Sequence, residues 1–377
     1  MVLELSLCGA ELLLRDGLMR ADLGISGGRL TGTGMGRRID LSGFRVLPGI
    51  VDLHGDGFER HLAPRRGAMK DLSAGLASAE AELAANGITT AYLAQFWSWE
   101  GGMRGRDFAL RFLRALRDYR GTGTDLRAQL RFELFMLDDY GDFEATVAEY
   151  GVAYVVFNDH LPHDALNRGK RPPRLTGQAL KGGRSPEAHL AMMKELHRHM
   201  TGVAPAVAGL AQRLGERGVA LGSHDDDTAD LRRGWHKRGV TIAEFPETQA
   251  AAAEACGLGD AVVLGAPNVV RGGSHSGNAS AADLVRDGLC DALASDYHYP
   301  APRQAALILS QEVGLEKAWA LVSEGPARVL GLTDRGVLEA DKRADLVVLD
   351  GEGRIGATIA GGRVTYLSGA VAERFLG

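Results

Sequence analysis

The sequence predicts an α/β protein built on a (β/α)8 TIM-like barrel, with a small β-sandwich-like domain formed by the N- and C-terminal segments. Three observations carry this. Eight short apolar runs alternate with helical patterns through the middle of the chain. Most of those runs end in a histidine or a carboxylate. The two ends of the chain are instead rich in short strand patterns separated by glycine turns. Repeated strand–helix units favour a parallel barrel over an antiparallel sheet.

The first 47 residues read as short strands, with turn signals at Asp16-Gly17 and Gly27-Gly28. Residues 333–377 have the same character. Ala344 to Leu349 is a buried-strand run, and Gly361-Gly362 leads into Arg363 to Leu367 as a hairpin. The expected division is therefore residues 1–47 with 333–377 as the small β domain and 48–332 as the barrel. Within the barrel the candidate strands are Val51–His54, Ile88–Leu93, Leu130–Met136, Tyr154–His160, Val219–His224, Val240–Phe245, Val262–Ala266 and Ala292–Asp296. Helical patterns cover about 71–86, 106–119, 186–216, 228–238, 248–257 and 279–288. Residues 161–184 show no clear period and carry Arg168, Lys170, Arg171, Arg174, Lys181 and Arg184 against one acid, Asp164. A long connection of that kind inside a compact domain is usually functional.

The chain of 377 residues is 45% hydrophobic and carries a formal net charge of −5, so no global basic surface invites nucleic acid. The three cysteines, Cys8, Cys256 and Cys290, lack zinc-finger spacing and form no even framework. A cytoplasmic location, with no signal peptide and no membrane span, is the expectation.

In a barrel the chemistry sits at the C-terminal ends of the strands. There the sequence places His54 and Asp56, Glu133, Asn158-Asp159-His160, Ser223 to Asp227, Glu244 and Asp296. Imidazoles and carboxylates are ligands for zinc, manganese and similar ions, and buried charges are costly unless paired or on a metal. Singly, each is as well read as a helix cap; one of Asp225, Asp226 and Asp227 is expected to cap the helix near Thr228. His189, His197 and His199 read as packing or surface residues, and His236 as a helix-end charge. The segment Arg271 to Asn278 is a Gly-rich turn that suits phosphate, with Arg271 and His275 adding donors.

These residues resemble the amidohydrolase superfamily. Val46 to His54 is similar to its first-strand signature, with His54-Gly55-Asp56 where His-x-His is usual. Glu324 to Leu332 and Lys342 to Val348 resemble its C-terminal signatures. Within it, Asp52 to His61, Asn158 to His160, Ser223 to Thr228, Ala243 to Thr248, Gly265 to Asn278 and Ser295 to Tyr297 resemble the PhnM family, the α-D-ribose 1-methylphosphonate 5-triphosphate diphosphatases.

The resemblance implies metal-dependent removal of pyrophosphate from an anionic sugar phosphonate 5-triphosphate, in carbon–phosphorus lyase phosphonate degradation. It implies one or two divalent ions. His54, Asp56 and Asp296 would hold one, and Glu133, His160 and His224 a second, with Asp159 a further ligand. Glu244 stands where the superfamily usually has a sixth-strand histidine. Asp296 would serve as general base. Glu59, Arg60, Arg65, Arg271, His275 and Asn278 would contact substrate, helped by the basic loop from Lys170 to Arg184. Superfamily members often form dimers, so a homodimer is compatible with the resemblance. Two other readings stand beside this one: a different amidohydrolase reaction, such as cyclic amide hydrolysis or deamination, and a non-catalytic member of a phosphonate-processing complex.

Overall fold

The computed structural model describes residues 4–32, 34, 36–63, 71–273 and 278–377. The barrel strands are β1 (Ile50–Gly55), β2 (Ile88–Trp97), β3 (Asp125–Glu133), β4 (Tyr154–Asn158), β5 (Ala220–His224), β6 (Ile242–Glu244), β7 (Ala261–Gly265) and β8 (Ala292–Ala294). They form one eight-stranded sheet in the order β8-β7-β6-β5-β4-β3-β2-β1, with parallel pairings. A parallel bridge between Gly55 and Asp296 brings β1 to the end of β8 and nearly closes the barrel. Strands covered on both faces must be apolar along their whole length. That is why β1, β2 and β4 are buried at every position and read as unbroken apolar runs rather than as alternating ones.

All eight expected strands are present, with shifted ends. The second runs four residues further, to Trp97. The third begins at Asp125 and stops at Glu133, so Leu134 to Met136 lie beyond it. The expected helix over 186–216 is two helices, Pro186–Arg198 and Met200–Glu216. Pro205 lies inside the second of these helices, where it has no N–H to donate to the preceding turn. The segment 161–184 is not structureless: it holds short helices at His163–Asn167 and Leu175–Lys181.

The chain divides into two compact bodies. The first comprises residues up to 93, 119–127 and 261–377. It carries the terminal strands in two sheets. One has four strands: Leu5–Cys8, Leu23–Ser26, Arg29–Thr31 and Arg37–Asp40. The other has six: Glu11–Leu14, Gly17–Arg20, Arg45–Pro48, Leu346–Leu349, Ile355–Ala360 and Arg363–Leu367. Leu346–Leu349 pairs antiparallel with Arg45–Pro48, so the two ends of the chain share one sheet. Leu7, Leu12, Ile25, Ile39, Val46, Val348 and Ile359 pack between these sheets.

The second body comprises residues 94–118 and 128–260. A fully buried Arg232 ties it together. Its guanidinium donates to Asp226 (3.1 Å) and to the Ile242 carbonyl (3.3 Å), and its Nε lies 3.3 Å from Asp260. His236 Nδ1 meets the other Asp260 oxygen at 2.8 Å, a hydrogen bond in addition to its place at a helix end. Among the described residues no helix is long and apolar enough to cross a membrane.

Candidate functional site

In the first body, β1 delivers His54 and Asp56 around a glycine that has no alternative. A Cβ on Gly55 would lie 2.6 Å from an Asp52 oxygen, 2.9 Å from the Ser295 hydroxyl and 3.0 Å from the Tyr299 ring. Asp52 is itself buried, and burial pushes its carboxyl up despite the backbone N–H (2.9 Å) and hydroxyl (2.5 Å) of Ser295 that hold it. This anchor locks β1 to β8. Backbone bonds then run from Asp296 N to His54 O and from Asp56 N to Asp296 O, each 2.9 Å. This ladder ties together the backbones of His54, Asp56 and Asp296, the three residues expected as ligands of one ion. His54 is buried, and Asp56 and Asp296 are half-buried.

Asp296 has φ +53°, as unusual for a non-glycine residue as Asp225 (+61°) after β5 and Phe245 (+53°) after β6. A left-handed residue costs roughly 1–2 kcal/mol. Three of them directly beyond strand ends re-aim the chain where function is expected.

Arg60 donates to the Tyr297 carbonyl (3.2 Å), pairs with Glu82 and stacks 5.4 Å from the Tyr299 ring centroid. Arg271 donates to the Tyr297 hydroxyl. Both arginines are exposed, with their heads gathered on Tyr297. Glu59 and Asn278 are half-buried. Arg65 and His275 lie outside the described residues. Asn268, from the helix Ala266–Arg271, accepts from Ala281 N (3.0 Å) and donates to Ala279 O (3.3 Å), pinning the return of that loop.

The second body gathers the other expected ligands. Glu133 ends β3 with no exposed surface. It accepts from Trp99 Nε1 (3.1 Å) and His160 N (3.2 Å), and its other oxygen meets His160 Nδ1. Burial alone would lower the His160 pKa, but the Glu133 charge and hydrogen bond outweigh it and leave it raised. Glu100, Glu133 and His160 can bring one ligand atom each within 4.8 Å of one another, and so can His160, His224 and Asp225. Burial opposes the Asp225 carboxylate, yet His224, with Arg131 and His160 nearby, holds its pKa down at about 2. Arg131 Nη2 sits 2.9 Å from His224 Nε2, while His224 Nδ1 lies 2.9 Å from Asp225. Arginine only donates, so the neutral ring that satisfies both contacts carries its proton on Nδ1. Glu244 is fully buried and accepts from Gln129 (2.7 Å) and Tyr154 (2.5 Å).

Asp159 stands apart from these groups: it bonds to His163 (2.9 Å) and to Leu161 N (3.2 Å). None of Asp225 to Asp227 caps the next helix. Thr228 does, accepting from Leu231 N at 3.2 Å, and Asp226 is occupied by Arg232 and Ser223. His189 is buried packing against Trp99, and His197 bonds to His163 and Asn167. In the basic segment, Arg184 is committed to the carbonyls of Trp99 (2.9 Å) and Glu100 (3.0 Å). Lys170, Arg171, Arg174 and Lys181 are exposed. Sequence reasoning missed Glu100, Trp99 and Arg131. The apolar run continuing from Ala94 to Trp97 was the available signal that β2 ends beside Glu100.

A nitrogen and carboxylate donor set, with Glu133 buried and tied to His160, fits a divalent metal ion.

Residues 57–369 match the model of the amidohydrolase family. Over 326 residues the chain is 33% identical to the α-D-ribose 1-methylphosphonate 5-triphosphate diphosphatase of Escherichia coli (strain K12), covering 82% of this chain and 84% of that one. In fold it is similar to a Xaa-Pro dipeptidase with bound methionine (TM-score 0.65, 14% identity, 97% of this chain and 100% of that one). It is also similar to a zinc-bound adenosine deaminase from Xanthomonas campestris (TM-score 0.53, 13% identity, 99% and 96%).

Proposed function

From the premise that this chain is a hydrolase belonging to the amidohydrolase family, of the PhnM type, we propose that it hydrolyses α-D-ribose 1-methylphosphonate 5-triphosphate to the 5-phosphate and pyrophosphate. The observation that carries the reading is the 33% identity to a diphosphatase over most of both chains; the grouping of Glu133 and His160 with Glu100 at ligand distance supports it. In this reading residues 48–332 are the catalytic barrel, and 1–47 with 333–377 the small β domain. Its setting is phosphonate degradation in the cytoplasm.

His54, Asp56 and Asp296 would hold one divalent ion, and Glu133, His160 and His224 a second, with Arg131 giving up its contact to His224 Nε2 so that this lone pair can bind. A bound ion supplies Lewis acidity toward phosphoryl oxygens and acidifies a coordinated water. The chain's own residues do the rest. Water oxygen attacks the phosphorus nearest the ribose, and the bond from that phosphorus to the bridging oxygen breaks. The electron pair leaves with pyrophosphate. The Asp296 carboxylate accepts the water proton, its position fixed by the His54–Asp296–Asp56 backbone ladder. Arg60 and Arg271 neutralise phosphate charge, and Arg131, whose guanidinium is already desolvated, adds a donor. Lys170, Arg171, Arg174 and Lys181, all exposed, are the basic residues of the 161–184 segment proposed to help neutralise the anionic substrate.

Hydrolysis in 18O-water tests the bond cleaved. Label in the sugar 5-phosphate and none in pyrophosphate supports attack at the inner phosphorus. Label in pyrophosphate, or release of single phosphates, contradicts it.

A further inference from the structure

A second cluster of arginines lies in the first body, far along the chain from the strand-end ligands. A cavity of about 440 Å³ is lined by Arg29, Arg343 and Arg363, with Asp334 and Thr124 in the same wall. Gly121 to Thr124 lead into the N-terminal end of β3, the end opposite to Glu133. The cavity is therefore lined at the other end of that strand from Glu133.

We propose that this cavity binds a phosphate group, carried either by the free ion or by the monoester of a small metabolite. The charge balance supports an anion. Asp334 is already paired with Arg335 at 2.8 Å. Arg343 is held in place by Asp345 (3.0 Å) and the Gly123 carbonyl (3.1 Å), leaving further N–H groups of its planar fork to donate. Arg29 donates to the Asp341 carbonyl at 2.5 Å, and neither Arg29 nor Arg363 has a carboxylate partner among the described residues. Thr124 is nine-tenths buried, and its hydroxyl has no hydrogen-bond partner.

Glycines keep the space beside these guanidinium groups. Gly361 has φ +56°, and a Cβ there would fall 2.9 Å from Arg343 Nη2. A Cβ on Gly123 would meet Thr365 at 2.8 Å and Arg363 at 3.3 Å. Behind the loop, buried Glu80 accepts from the N–H groups of Thr122 (2.8 Å), Gly123 (2.9 Å) and Thr124 (3.1 Å). That fixes the loop and uses its backbone donors, so recognition of an anion falls to the arginine forks.

The test is equilibrium dialysis of the full-length protein with radiolabelled orthophosphate, and calorimetry with ribose 5-phosphate as the monoester probe. Arg29→Gln/Arg363→Gln and Arg363→Lys are compared with wild type. Losing charge-assisted hydrogen bonds lowers affinity by about tenfold or more. Such a loss in the double variant, with part of the affinity kept by Arg363→Lys and hydrolase turnover unchanged, supports the site. Tighter binding of ribose 5-phosphate than of orthophosphate assigns the ligand to the monoester class, and the reverse to the free ion. Equal affinity in wild type and the double variant, or no saturable binding of either probe by wild type, overturns it.

Discussion

Replacing Glu133 by glutamine separates its structural role from its proposed role at a metal. The carboxylate has no exposed surface and meets three donors: Trp99 Nε1, His160 N and His160 Nδ1. A hydrogen bond to a charged group is worth about 1.5–3 kcal/mol and a neutral one about 0.5–1.5, so three weakened bonds cost about 3 kcal/mol. Removing a buried charge returns a desolvation penalty of several kcal/mol, which offsets that loss. Fold stability should therefore shift by no more than about 2 kcal/mol either way.

The metal chemistry should not be so tolerant. The glutamine oxygen can keep accepting from Trp99 and His160 N, which turns its amide nitrogen toward His160 Nδ1. That nitrogen must then accept, and the ring proton moves to Nε2, where it blocks the lone pair a metal needs. Even an outer partner of a metal ligand is worth 10–100-fold in affinity, so Glu133→Gln should weaken Mn²⁺ or Zn²⁺ binding by at least about that factor. Chelator competition measures the dissociation constant, thermal unfolding the stability, and 15N NMR the His160 tautomer. Unchanged metal affinity and turnover in a folded variant would refute the reasoning.

Arg232→Met should destabilise by about 3–5 kcal/mol, because it leaves Asp226 and Asp260 buried without their cation; a thermal midpoint equal to wild type would show that the network contributes nothing. Asp345 gives a pH signature. Burial raises its pKa to about 6 from 3.8, against the pull of Arg343. Between those values the native state holds the extra proton, so this group's stabilising contribution is complete below about pH 4 and is lost as pH rises through 6. At roughly 1.4 kcal/mol per unit the change is about 3 kcal/mol. Comparing wild type with Asp345→Asn by denaturant unfolding at pH 4 and pH 7 should reveal it, and a pH-independent difference would count against it. Arg171→Gln/Arg174→Gln should raise KM for the triphosphate several-fold with little change in kcat, since both side chains are exposed; an unaltered KM removes these residues from substrate binding.

Much of the architecture was legible because parallel barrel strands are apolar on both faces. Tyr154-Val-Val-Phe-Asn and Ile50-Val-Asp-Leu-His stand out from the helical patterns around them. The polar residue that ends most of these runs was legible for the same reason, since an abrupt charge after an apolar run has few packing explanations. What escaped detection depends on tertiary partners. Arg131 lies inside β3 and gives no strand-end signal, yet its guanidinium reaches His224 and Asn158. The left-handed conformations of Asp225, Phe245 and Asp296 have no sequence marker, because none is a glycine. Thr228, rather than an aspartate before it, caps its helix because Asp226 is captured by Arg232, six residues on in the chain. The short helices within 161–184 are too brief to show a period.

The central claim is metal-dependent cleavage of the triphosphate to pyrophosphate. Its most direct test is pyrophosphate release from α-D-ribose 1-methylphosphonate 5-triphosphate by chelator-treated protein, before and after Mn²⁺ or Zn²⁺ is restored. Release of intact pyrophosphate only on metal addition is the expected result. A folded, metal-loaded protein that releases none would contradict the claim.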